Sequence, residues 1–146
     1  MFKINHEEAG KGFELVAKGD YEVFVHNYEQ KVSSTGKNMI VVDYEIRTDV
    51  DQPHGGQKIQ FDNFIIGEKS MWRLQAISKA AQFPQGLEFA TYKEWADTLM
   101  NKHLIITIGH REHNGNLYPE VKGFKVSKVA APNAATVKVT EDEVPF

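Results

Sequence analysis

The sequence predicts a mainly β fold of five strands, with one or two helices between the third and fourth. Three observations carry this. Two long stretches near the N-terminus alternate apolar and polar residues around a turn-forming cluster, the mark of an antiparallel hairpin. Apolar residues at helical spacing follow the third alternating stretch. Two more alternating stretches, joined through Asn114-Gly115-Asn116, make a second hairpin, because Asn-Gly favours the turn that matches strand twist.

Taken in order, residues 1–19 form a leader with three glycines and at most a short helical stretch. The first strand is expected over Tyr21–Val32, where Tyr21, Val23 and Val25 occupy one face and Phe24, His26 and Tyr28 the other. SSTGKN turns the chain, with Gly36 free to adopt a positive φ. The second strand covers Met39–Arg47, and the third covers Lys58–Ile66 after the turn TDVDQPHGG. Alternation assigns Tyr44, and one of Phe61 and Phe64, to the core. Ser70 stands as N-cap of a helix whose Met71, Leu74, Ile77, Ser78 and Ala81 form the buried stripe, with Trp72 flanking it. Phe83-Pro84-Gln85-Gly86 ends that helix. A shorter helix is expected over Tyr92–Met100, with Thr91 and Glu94 placed as a capping box. KHLIITIGHREH and LYPEVKGFKVSKV are the last two strands, and Pro119 confines the second of them to a sheet edge there. This order of elements is the layout of an OB-fold, a five-stranded, partly open barrel, and other small barrels and α+β sheets share the strand count. The domain spans residues 1–129. A disordered tail over residues 130–146 turns small, polar and finally acidic.

Composition narrows the function. The 146 residues are 41% hydrophobic and 25% charged, ordinary for a globular domain. There are no cysteines, which removes disulfides, thiolate metal sites and cysteine nucleophiles. The acidic N-terminus lacks a signal peptide's apolar centre, and no apolar run is long enough to span a membrane, so a cytoplasmic protein is expected. Net charge is −3, and Glu141, Asp142 and Glu143 account for it, leaving the rest of the chain neutral. Lys102–Lys128 is locally basic, a polarity compatible with an anionic ligand.

Aromatic residues interleaved with cations are the strongest chemical pattern. Phe24 and Tyr28 lie on the first strand, Lys31 and Lys37 flank the first hairpin tip, and Lys58 and Phe61 lie on the third strand. Arg111, His113, Tyr118 and Lys122 surround the second tip. Cations that follow phosphates and aromatic faces that stack on bases are what binding of an unpaired strand requires. Against a uniformly basic face stand Asp43, Glu45 and Asp62, and each aromatic taken singly fits a core as well. No metal site is expected from His110-Arg111-Glu112-His113, because residues three apart on a strand face opposite ways. SSTGKN fails as a phosphate loop, with Lys31 where the first glycine belongs and Asn38 where a Ser or Thr belongs. No catalytic constellation and no cofactor site stands out. At the C-terminus, Glu141, Asp142, Glu143, Val144, Pro145 and Phe146 combine acids with a terminal aromatic, suited to docking on a partner's apolar pocket beside a cation.

That terminus resembles the acidic tip of bacterial single-stranded DNA-binding proteins, which ends in aspartates, an apolar residue, Pro and Phe. Here Glu replaces Asp in part and the acids are fewer. The body resembles a family of phage-encoded single-stranded DNA-binding proteins. The resemblance runs through Gly19-Asp20-Tyr21-Glu22-Val23, Ser33-Ser34-Thr35-Gly36-Lys37-Asn38-Met39 and Phe61-Asp62-Asn63-Phe64. It continues in Trp72-Arg73-Leu74 and Tyr118-Pro119-Glu120-Val121-Lys122-Gly123-Phe124. The resemblance implies a non-enzymatic protein of phage replication, recombination or repair. Its tip would recruit phage or host replication and recombination enzymes. A homo-oligomer stays open, and the bacterial protein's tetramer is not carried over. Two other readings use the same residues. One is a Mg²⁺-dependent accessory nuclease built on Asp43, Glu45 and Asp62; the other is an adaptor that touches no nucleic acid.

Overall fold

A computed structural model describes residues 15–130 of the chain. Five strands form one antiparallel sheet: β1 (Gly19–Val32), β2 (Asn38–Ile46), β3 (Lys58–Ile65), β4 (His103–His113) and β5 (Asn116–Val126). Helices α1 (Met71–Ala80) and α2 (Tyr92–Leu99) lie between β3 and β4, as the periodicity predicts. The spatial order is β3-β2-β1-β4-β5, so β3 and β5 are the edges. Pro119, opposite His110, therefore sits on an edge strand, where a missing N–H costs no ladder bond.

One sheet face is apolar throughout. Val23 and Val25 on β1, Val42 and Tyr44 on β2, and Leu104 and Ile106 on β4 are fully buried there. Leu74 and Ile77 of α1 and Trp95 and Leu99 of α2 close over them. Each such side chain contributes about 1.5–3 kcal/mol of transfer free energy. In a flat five-stranded sheet the edges would stand about 19 Å apart. Here Phe64 on β3 and Phe124 on β5 stack with ring centroids 6.0 Å apart, so the sheet is strongly curled. The ladders among the described residues join β3 only to β2 and β5 only to β4, so side chains, not backbone, bridge the two edges.

Local details follow the sequence with two departures. Thr91 caps α2, its Oγ1 accepting the Glu94 N–H at 3.2 Å, and Glu94 reaches back to accept the Ala90 N–H at 2.9 Å. Ser70 occupies the N-cap position of α1 but makes no side-chain cap bond. A 3₁₀ turn over Glu68–Ser70 precedes the helix and holds Ser70 at ψ −1, so the helical path runs through it. The end of the leader is also better anchored than its glycines suggest. Val16 is buried in the core, and the Ala17 carbonyl accepts the Tyr21 hydroxyl at 2.7 Å. The tail residues 131–146 and the leader residues 1–14 lie outside the described residues. No helix among the described residues is long and apolar enough to cross a membrane.

Candidate nucleic-acid interface

The face of the sheet away from the core is shaped by two bulges that meet at Asp43 on β2. On β1, Val25 pairs with Tyr44 and Asn27 with Asp43, leaving His26 as an extra residue. On β3, Asp62 pairs with Val42 and Ile59 with Tyr44, so Gln60 and Phe61 share the space opposite Asp43. Bulges bend a strand and re-aim side chains, and two of them in one row sharpen the curl of the sheet there.

Phe61 shows the consequence. It takes φ +65, whereas the other non-glycine residues with positive φ among the described residues (His54, Gln82, Asn101 and Asn114) lie in turns or at element ends. A bulky aromatic in the left-handed region is strained and persists only where its surroundings fix it. The fixing contact is the Asp43 carboxylate, whose Oδ1 accepts the Phe61 N–H at 3.1 Å. The ring itself is 69% exposed. A costly backbone conformation thus presents an apolar ring to solvent.

Register places further residues around it. Phe24 pairs with Glu45 on one side and His103 on the other, and Glu45 pairs with Lys58, making one row across four strands. Phe24 is half-buried, 5.6 Å from the His103 ring and 6.4 Å from the His26 ring. Burial, then the nearby Arg47 charge, lowers the His103 pKa and favours the neutral imidazole. Glu45 lies 3.9 Å from Lys58 Nζ and 3.7 Å from His26 Nδ1. Further along β1, opposite Met39, Lys31 is exposed and 3.5 Å from Glu29. Lys37 is exposed at the tip, where its N–H donates to Ser33 Oγ at 3.0 Å. The structure therefore gathers Phe24, Lys58 and Phe61 on one face, with Lys31 and Lys37 toward the tip.

Tyr28 does not join them. The bulge at His26 reverses the alternation, so Tyr28 pairs with the inward residue Val42 and packs against the core. Its hydroxyl donates to Asp97 on α2, and that bond, ahead of Lys93, holds the Asp97 carboxyl below the usual range. The sequence-based placement of Tyr28 beside Phe24 is thus corrected.

Arg111, His113, Tyr118 and Lys122 form a separate group. Arg111 and Tyr118 are an exposed cross-strand pair near the β4–β5 tip, and His113 pairs with Asn116 at the tip itself. Lys122 is the extra residue of a third bulge, and its stem lies over Gly109, where an added Cβ would come within 2.9 Å of Lys122 Cγ. Its Nζ is 2.9 Å from Glu120. The β1–β2 tip follows Val32, while β4 runs past Gly19 at the other end of β1. About 45 Å of strand path therefore separates the two tips, before curvature shortens it. His110 has a structural partner, its Nε2 lying 2.8 Å from the Val16 carbonyl. Among the described residues no three His, Asp or Glu side chains gather as a metal site.

At the far end of the same face, Arg47 is buried and held on every side. It donates to both Asp49 oxygens, to the Val129 carbonyl at 2.8 Å and to the Ala130 carbonyl at 2.9 Å. Glu22, buried beside it, accepts the Lys128 N–H at 3.0 Å and the Ser127 hydroxyl at 2.6 Å. This network fastens the end of the described chain to the outer face. Glu141 to Phe146, assigned to partner docking, lie outside the described residues.

Sequence reasoning missed two features. His103 reads as one of several histidines in a basic segment, and only the β1–β4 register brings it to Phe24. A groove of about 670 Å³ between α1 and α2 is lined by Leu74, Phe83, Phe89 and Trp95, with Lys79 at its wall. Phe83 and Phe89 lie in the loop between the helices, which has no periodicity to reveal it.

No curated protein matches the chain. Residues 2–135 match the family described as Protein of unknown function (DUF669), and the chain belongs to that family.

Proposed function

We propose that this chain is a non-enzymatic single-stranded DNA-binding protein that grips unpaired strands on the outer face of β1, β2 and β3. The observation that carries the reading is Phe61, a strained and exposed ring in the middle of a strand, on the same face as the half-buried Phe24. Stacking on such rings needs a base whose face is free, which an unpaired strand offers and a duplex does not. Lys31, Lys37 and Lys58 stand at the margins of the face, where phosphates would run. Stacking and backbone charge read no base edge, so little sequence preference follows.

The finer fold belongs to the same proposal. A meander of β1, β2 and β3, with β4 on the other side of β1, is the strand order of an OB-fold opened between β3 and β5. In that fold the faces of the second and third strands and the two hairpin loops bind oligonucleotides. Arg111 and Tyr118 would then extend the path of a strand beyond the central face. The acidic tip ending in Val144-Pro145-Phe146 would recruit enzymes of phage replication or recombination in the host cytoplasm.

A titration of fluorescently labelled oligo-dT at two salt concentrations, with unlabelled duplex as competitor, tests this. Binding that weakens with salt and resists the duplex is the expected result, since counterion release and free bases would both be at work. Absence of binding at low salt would overturn the proposal and turn attention to the α1–α2 groove as a protein-docking site.

A further inference from the structure

We propose that Asp43 sets this face's preference for unpaired over paired strands, an inference that rests on the single-strand reading above. Asp43 lies on β2, the middle strand of the face, with Asn27 beside it on β1 and the Gln60–Phe61 bulge on β3. Two properties follow from its position.

The first is mechanical. Asp43 Oδ1 accepts the N–H of Phe61, the residue held at φ +65. Without that acceptor, the strained backbone loses the contact that opposes its relaxation, and the ring loses its fixed presentation. Asp43 is in this sense a positioning residue for the stacking ring.

The second is electrostatic. Glu45 lies near Lys58 and His26, and Glu29 lies near Lys31, so those acids are partly neutralised. Among the described residues none forms an ion pair with Asp43. The middle of the face therefore carries uncompensated negative charge, while its cations lie at the margins. A single strand can meet this pattern by turning bases inward and phosphates toward the lysines. A duplex has no free base faces to offer, and its phosphates line both outer edges. Laid on the same face, it must bring phosphates toward Asp43. At a separation of about 8 Å and an intermediate dielectric, like charges cost about 1 kcal/mol per contact, a factor of about five.

Asp43→Asn separates the two properties, because the amide oxygen can still accept the Phe61 N–H while the charge is gone. Anisotropy titrations of the full chain with labelled oligo-dT and with a duplex of equal length, at low salt, provide the readout. In Asp43→Asn the ratio of oligo-dT affinity to duplex affinity should fall about fivefold. In Asp43→Ala, oligo-dT affinity should fall about tenfold as the ring loses its holder. Recovery of that loss in the Asn variant is an effect that general destabilisation would not produce. Asn27→Asp, which adds a charge in the same row and leaves Asp43 in place, should weaken duplex binding further. If the wild-type chain binds oligo-dT and the strand-to-duplex ratio moves in neither Asp43→Asn nor Asn27→Asp, this inference fails alone. If the wild-type chain binds no oligo-dT, the single-strand reading fails and takes this inference with it.

Discussion

Phe64 and Phe124 stack 6.0 Å apart although they belong to the two opposite edges of the sheet. The Arg73 guanidinium of α1 covers both rings, 4.6 Å from one centroid and 5.2 Å from the other. The same guanidinium lies 2.9 Å from Asp62, whose other oxygen accepts the buried Tyr44 hydroxyl at 2.7 Å. One cation thus joins α1, both edges and the core. It supplies side-chain contact between β3 and β5, which no backbone ladder joins among the described residues.

Arg73→Ala should therefore cost about 3 kcal/mol in urea unfolding, because it leaves the Asp62 carboxylate buried and uncompensated. Burial raises the Asp62 carboxyl above its ordinary 3.8, outweighing Arg73 and Tyr44, which lower it. A raised folded pKa adds stability that is fully present below the unfolded value and is lost as pH rises through the folded one. Asp49 is the opposite case, lowered by its bond to Arg47, so its contribution is present at neutral pH and lost in acid. Between neutral pH and about pH 3, Asp62→Asn should fall progressively behind the wild type, while the deficit of Asp49→Asn should shrink. Unfolding midpoints across that range provide the check.

Phe61→Gly should separate stability from binding. Glycine adopts φ +65 without strain, and the ring it removes is largely exposed. Stability should stay level or rise by up to about 1 kcal/mol. Affinity for oligo-dT should fall about tenfold, the loss of one stacking platform. A thermal melt and an anisotropy titration on the same preparation measure both.

Arg47→Ala should cost about 3–5 kcal/mol, because Glu22 would remain buried without its cation. It should also release the segment that follows β5. Hydrogen exchange at the Lys128 amide, which donates to Glu22, should accelerate well before the β1 and β4 amides do.

Much of this fold is legible because alternation and helical spacing are direct images of burial. The five strands, both helices and the Thr91–Glu94 cap follow from the order of residue types alone. The bulges are not, because an inserted residue changes register without changing composition. Tyr28 reads as a neighbour of Phe24 until His26 is seen to be extra, and the core position after Val25 is then three residues on. Ile59 and Phe64 are both buried at an odd spacing, which is the trace that the β3 bulge leaves in the sequence. The pairing of Phe24 with His103 depends on a contact between residues far apart in the chain. The candidate face was thus half visible: its residue types could be named, while its geometry depended on two insertions.

In the proposed complex an unpaired strand lies across β1, β2 and β3 on Phe24 and Phe61. Backbone amide NMR of the isotopically labelled full chain, titrated with oligo-dT, tests it most directly. The largest shifts are expected at Phe24, His26, Asp43 and Phe61, extending to Lys31 and Lys58, with little change around Leu74 and Trp95. Shifts confined to the α1–α2 groove, with the outer face silent, would contradict it.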